Sequence, residues 1–147
     1  MEEFDIFLIR VIRAHSQFVS CYNFYMNTCI FCKIVNGEIP AHKVYEDDNF
    51  LAFLDIHPQS AGHTQVIPKK HYRWVWDLPN VGEYFEVAQK IALAQKKAFG
   101  TDIVWSKIMG DEIEHAHIWI FPHPDTVKKE DPKDFEGNVE KIRSNVV

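Results

Sequence analysis

Near the end of the chain, His115-Ala116-His117-Ile118-Trp119-Ile120-Phe121 alternates with strict period two. Successive side chains of a strand point to opposite faces. His115, His117, Trp119 and Phe121 therefore share one face, while Ala116, Ile118 and Ile120 share the other. Side chains two apart on one face stand roughly 6–7 Å from each other. At that spacing two imidazoles can take neighbouring roles around one phosphate, or hold a metal and the group beside it. A purely structural alternative places two polar histidines on the solvent side of an antiparallel strand.

The rest of the chain supplies partners for that strand. Cys29 to Ile34 reads as a short helical turn ended by Asn36-Gly37. Two strands are expected over His42–Glu46 and Phe50–Asp55, joined as a hairpin by Asp47-Asp48-Asn49. A third is expected over His63–Ile67, bounded by Pro68. Asn80 followed by Glu83 resembles a capping box that opens the longest helix. Its buried face is marked by Tyr84, Val87, Ala88, Ile91, Ala94, Ala98 and Phe99, and Gly100 closes it. Strands over Ile103–Ile108 and His115–Phe121 follow, then a terminal helix over Phe135–Ile142. Short hairpin connections argue against a doubly wound parallel sheet and for α+β, a sheet with helices packed on it.

Composition limits the function classes. A chain of 147 residues fits one domain with one core. The formal charge of −5 makes a basic nucleic-acid groove or a polybasic membrane patch unexpected, while leaving room for a local phosphate pocket. No apolar run approaches the roughly 18 residues needed to span a bilayer. Cys21, Cys29 and Cys32 cannot all pair internally, and a domain of this size needs no disulfide staple. A reducing, cytoplasmic location is expected. Residues 4–26 carry scattered apolar side chains with Arg10, Arg13 and His15 among them, compatible with a short amphipathic helix and a poor fit to a signal peptide.

Three stretches together resemble the histidine-triad family of nucleotide-binding hydrolases and transferases. They are CIFCKIVNGEIPAHKVYEDDNFLAFLDI at 29–56, GHTQVIPKKH at 62–71 and HAHIWIFP at 115–122. The resemblance implies an antiparallel five-stranded sheet with a long and a short helix packed on it. It implies an extension over 1–28, a histidine-triad domain over 29–125, and a tail over 126–147 that completes the domain. It assigns His117 as the nucleophile that attacks the α-phosphorus of a nucleotide, with the His115 backbone carbonyl orienting its ring and His63 near the phosphate. A phosphoramidate or related nucleotidyl bond would be split in two steps through a nucleotidylated His117, for which a neutral imidazole is well suited. Asp55 would accept from the ribose hydroxyls. Ile30, Phe31, Ile34, Ile39, Phe53 and Ile56 would form the apolar slot for the base, a purine by family preference. Ile34 and Ile39 read equally well as plain core.

Cys29-x-x-Cys32 with two distant histidines has the composition of a tetrahedral zinc site. The resemblance names the set as Cys29, Cys32, His71 and His115, structural because four protein ligands leave no open position. Two reduced, partly buried cysteines are the alternative. The chain also departs from the family pattern. The third triad position is Trp119, which keeps one N–H donor and transfers no proton at neutral pH. The segment before the triad, Gly110-Asp111-Glu112-Ile113-Glu114, is short and acidic where relatives carry neutral donors. Glu114 is expected on the strand face opposite the histidines. These departures support a second reading, a nucleotide-binding or protein-interaction module with little catalysis. Small relatives form two-fold homodimers through the long helix and an edge strand. Val87, Ile91 and the Trp74–Trp76 region are the expected apolar contact, with intramolecular packing as the alternative.

Overall fold

The computed structural model describes residues 28–147. The helix expected within 4–26, and all of the 1–28 extension but Thr28, lie outside the described residues. In chain order the elements are α1 (Ile30–Val35), β1 (Lys43–Glu46), β2 (Phe50–Leu54), β3 (Thr64–Pro68), α2 (Val81–Phe99), β4 (Val104–Met109), β5 (His117–Pro122) and α3 (Phe135–Arg143). Short 3-10 turns at Val75–Asp77 and Pro124–Thr126 complete the set. The five strands form one antiparallel sheet in the order β1-β2-β3-β5-β4. The fold is α+β, as the pattern of hairpins and one long helix implies.

The period-two alternation divides two cores. Phe50, Ala52, Leu54, Val66, Ala116, Ile118 and Ile120 face α2, where Tyr84, Val87, Ala88, Ile91 and Ala94 meet them. Leu51, Phe53 and Ile67 face the other way and pack on Phe31 and Ile34 of α1. Covered on both sides, β2 and β3 are buried along their whole length, whereas edge strand β4 is exposed over its middle. Helix α3 closes the first core with buried Ile142.

Two local details differ from the sequence reading. Asn80 is the residue before α2 but makes no cap bond to its backbone; its amide instead donates to Glu83 Oε2 at 2.9 Å. The left-handed residue that ends the helix is Gly100 at φ +60°, as expected. The last strand pairs from His117 rather than His115. The Ala116 amide donates to Tyr72 O at 2.7 Å, outside the ladder, so the chain joins the sheet one residue later. The face assignment survives, since Phe31 packs edge-on against both His115 and His117.

Register places side chains in cross-sheet rows on the α1 side. Phe53 pairs with Gln65, Gln65 with Trp119 and Trp119 with Lys107, so apolar, amide, indole and ammonium groups follow one another across four strands. His117 begins the neighbouring row, opposite Met109.

Candidate active site and metal centre

Cys29 and Cys32 lie at the start of α1, with Cys29 as its N-cap residue, its Sγ accepting from the Cys32 amide at 3.5 Å. His71 follows β3 and His115 precedes β5. One ligand atom from each of the four residues falls within 4.8 Å of all the others. His115 Nδ1 is 3.3 Å from Cys29 Sγ and 3.6 Å from Cys32 Sγ, and His71 Nδ1 is 3.3 Å from Cys32 Sγ. The opposite nitrogen of His115, Nε2, donates to Pro68 O at 2.8 Å. That bond leaves the Nδ1 lone pair toward the sulfurs, the arrangement that metal-binding histidines adopt. The cysteines are poised as ligands: the Cys32 thiol donates to Cys29 and draws its pKa far down, and the same shared proton, with burial, pushes Cys32 up. Two cysteine sulfurs, two imidazoles and, among the described residues, no fifth donor in the cluster fit a structural zinc site.

On the same face, His117 is 3% exposed. Its Nδ1 donates to the His115 carbonyl at 2.7 Å, so in the neutral ring Nε2 carries the lone pair. Burial lowers its pKa, opposed first by the His115 hydrogen bond and then by the Asp55 and Glu112 carboxylates. His117 lines a cavity of about 450 Å³, within the range of ligand sites. Ile30, Phe31, Ile34, Ile39, Phe53 and Ile56 form its apolar wall. Ile30 and Ile56 stay exposed at the mouth, while Ile34 both lines the cavity and packs in the core. Asp55, 9% exposed, is paired rather than bare: Oδ1 accepts from the His57 amide at 2.7 Å and Oδ2 from Gln65 Nε2 at 2.6 Å.

Trp119 also lines the cavity, and its indole Nε1 is buried without a partner. Lys107 lies over its ring, 5.5 Å from the centroid. His63 does not reach the cavity wall. It is wedged behind, edge-on to Trp119 at 4.7 Å and tilted against Phe121 at 5.0 Å. Its Nδ1 accepts from the Gln59 amide at 3.2 Å, and burial pushes its pKa down to about 4, so it is neutral at pH 7. The acidic loop splits: Glu112 lines the cavity, whereas Asp111 faces a separate hollow with Trp74 and Trp76. Glu114 is exposed and ion-paired to Arg73 at 3.6 Å.

The HIT domain family matches residues 36–126. The chain belongs to the HIT family. An uncharacterized HIT-like protein of Methanocaldococcus jannaschii is 45% identical over 100 residues, covering 64% of this chain and 78% of that protein. The adenosine 5'-monophosphoramidase HNT1 of Saccharomyces cerevisiae is 38% identical over 102 residues, 66% of this chain and 63% of the yeast protein. A zinc-bound histidine triad family protein from Mycobacterium smegmatis superposes with TM-score 0.72 at 34% identity, over 81% of this chain and 93% of that one. The fold is thus the nucleotide-binding fold of the HIT superfamily.

Within this HIT domain the sequence reading missed Gln65, which orients Asp55 and stands between it and Trp119. An amide set directly before the apolar run Val66-Ile67-Pro68 was the available signal. Val87 and Ile91, read both as part of the buried face of α2 and as apolar surface for a dimer contact, are buried against the sheet at 4% and 0% exposure, the intramolecular alternative. Their helix turns that stripe inward because the sheet needs cover. Trp74 and Trp76 are exposed as expected, and Phe85 and Leu93 are the exposed apolar residues of α2. Among the described residues no helix is long and apolar enough to cross a membrane.

Proposed function

We propose that this HIT protein binds a nucleotide or nucleotide conjugate in the cavity between α1 and the sheet. The base, a purine, enters the slot between α1 and Phe53, the ribose hydroxyls meet Asp55, and the α-phosphate lies against His117. The observation that carries this reading is the order of groups along one wall: apolar slot, oriented carboxylate, neutral imidazole. Titration with AMP by calorimetry tests it. Asp55→Ala is expected to weaken binding at least about tenfold, since each lost hydrogen bond to a charged group is worth about 1.5–3 kcal/mol. Equal affinity of variant and wild type would count against the ribose assignment.

A second reading adds turnover, and the His117–His115 bond favours it. With Nδ1 tied to the carbonyl, Nε2 is free to attack the α-phosphorus, giving a nucleotidylated His117 that water resolves. The naming of the yeast relative as a phosphoramidase is consistent with chemistry at that phosphorus. Trp119, backed by His63, shapes the phosphate end, and zinc on Cys29, Cys32, His71 and His115 would hold the backbone that orients His117. His117→Ala is expected to cost at least about 1,000-fold in turnover of an adenosine 5'-phosphoramidate. Undiminished turnover would leave the binding module alone standing. The exposed aromatic face beside edge strand β4 is assigned to a second copy of the chain.

A further inference from the structure

A nucleotide bound as proposed above brings its phosphate charge to a wall that holds no cation. Among the described residues lining the cavity there is no lysine or arginine, and the two carboxylates are those of Asp55 and Glu112. Asp55 is committed to the His57 amide and to Gln65. Glu112 is exposed to solvent and shares the wall with His117, whose ring its charge reaches. Two cations on flanking segments are turned to other partners. Lys107 lies over the Trp119 ring, and Arg73 lies 4.2 Å over the Trp74 ring with Glu114 at 3.6 Å. Neither lines the cavity.

The backbone that carries Glu112 is pinned at both ends. Gly110 is buried under the Trp74 indole, so closely that a Cβ there would stand 2.5 Å from the ring. The Arg73 guanidinium donates from Nη1 to the Gly110 carbonyl and pairs through Nη2 with Glu114. Between these points Ile113 packs into the second core, and its carbonyl accepts from the His115 amide at 2.8 Å. One guanidinium thus spans the segment 110–114.

Resting on the binding reading above, we infer that Glu112, on a segment positioned by Arg73, makes the cavity discriminate by phosphate charge. An internal nucleotide phosphate carries one negative charge, whereas a terminal phosphomonoester carries nearly two above neutral pH. The ligand class favoured is therefore a nucleoside 5'-phosphodiester over the corresponding monophosphate. An exposed carboxylate acts through high dielectric, so the effect is a graded preference rather than exclusion. Where the turnover reading also holds, cutting an internal phosphate to a monoester creates the second charge beside Glu112 and favours departure of the product.

Calorimetric titration of the full-length chain at pH 8 with adenosine, AMP and the methyl ester of AMP tests this. The ester is expected to bind about fivefold more tightly than AMP, the effect of one added like charge about 4 Å away in water. Glu112→Gln is expected to abolish most of that preference. Arg73→Gln, which frees the segment but keeps the carboxylate, is expected to reduce it part-way. Each preference is a ratio within one protein, so a general loss of affinity does not move it. Equal binding of AMP and ester by the wild type, or a preference that survives Glu112→Gln, overturns the inference alone, with adenosine binding still upholding the cavity. A preference lost in Glu112→Gln but intact in Arg73→Gln overturns the positioning role of Arg73. Binding of none of the three overturns the inference together with the binding reading.

Discussion

His117 on β5 and His63 just before β3 are both buried imidazoles, yet their surroundings divide their roles. His117 faces a cavity with its orientation set by a backbone carbonyl, whereas His63 is packed among aromatic rings. Both have pKa values lowered by burial, His63 from the ordinary 6.5 to about 4. The folded chain thus refuses protons that the unfolded chain accepts below about pH 6.5. Their contribution is fully present above that pH and is lost as pH falls toward about 4. For His63 the loss is on the order of 3 kcal/mol. Urea unfolding of wild type and His63→Gln at pH 7.5 and 4.5 measures it: the wild type is expected to lose more stability on acidification than the variant. Parallel losses would mean that His63 is not the group responsible.

Among the α-helices, α1 is the shortest and carries the most. Its six residues and their N-cap bring Cys29 and Cys32 to the metal centre and Ile30, Phe31 and Ile34 to the cavity wall. A helix this short has little stability of its own. Its position depends on the second core and on the ligands it shares with His71 and His115. Chelation of zinc is therefore expected to loosen α1 and the cavity together. A zinc concentration about 1,000-fold above its dissociation constant stabilises by about 4 kcal/mol, which for a domain of this size means a Tm drop of about 10 °C on removal. Calorimetric melts with and without chelator, beside elemental analysis of the purified chain, check this. An unchanged Tm in protein that has lost its zinc would show α1 held by packing alone.

At the scale of the whole molecule, one edge of the sheet stands out. Strand β4 ends the order β1-β2-β3-β5-β4 and exposes Trp105 and Ile108, with Trp74 and the 70% exposed Trp76 nearby. Aromatic side chains clustered beside an unpaired strand edge suit a self-complementary contact. Light scattering is expected to give twice the 17.2 kDa chain mass, and Trp76→Glu with Trp105→Glu to return the monomer. A monomeric wild type at micromolar concentration would reject that assignment. Much of this architecture was legible beforehand. Period-two alternation in 115–121 set which side chains share a face, spacing along 84–99 set the buried stripe of α2, and glycine closed that helix, because these are local consequences of backbone geometry and side-chain bulk. The alternation did not say that both faces of β2 and β3 would be covered, so the place of Gln65 stayed hidden. Nor did it divide the acidic loop into Glu112 at the cavity and Asp111 away from it. Cys29 and His115 are separated by 86 residues of chain, and only the packing of α1 on the sheet brings their atoms to 3.3 Å. Local sequence determines faces and element ends; distances between remote groups are decided by how two layers close on one sheet.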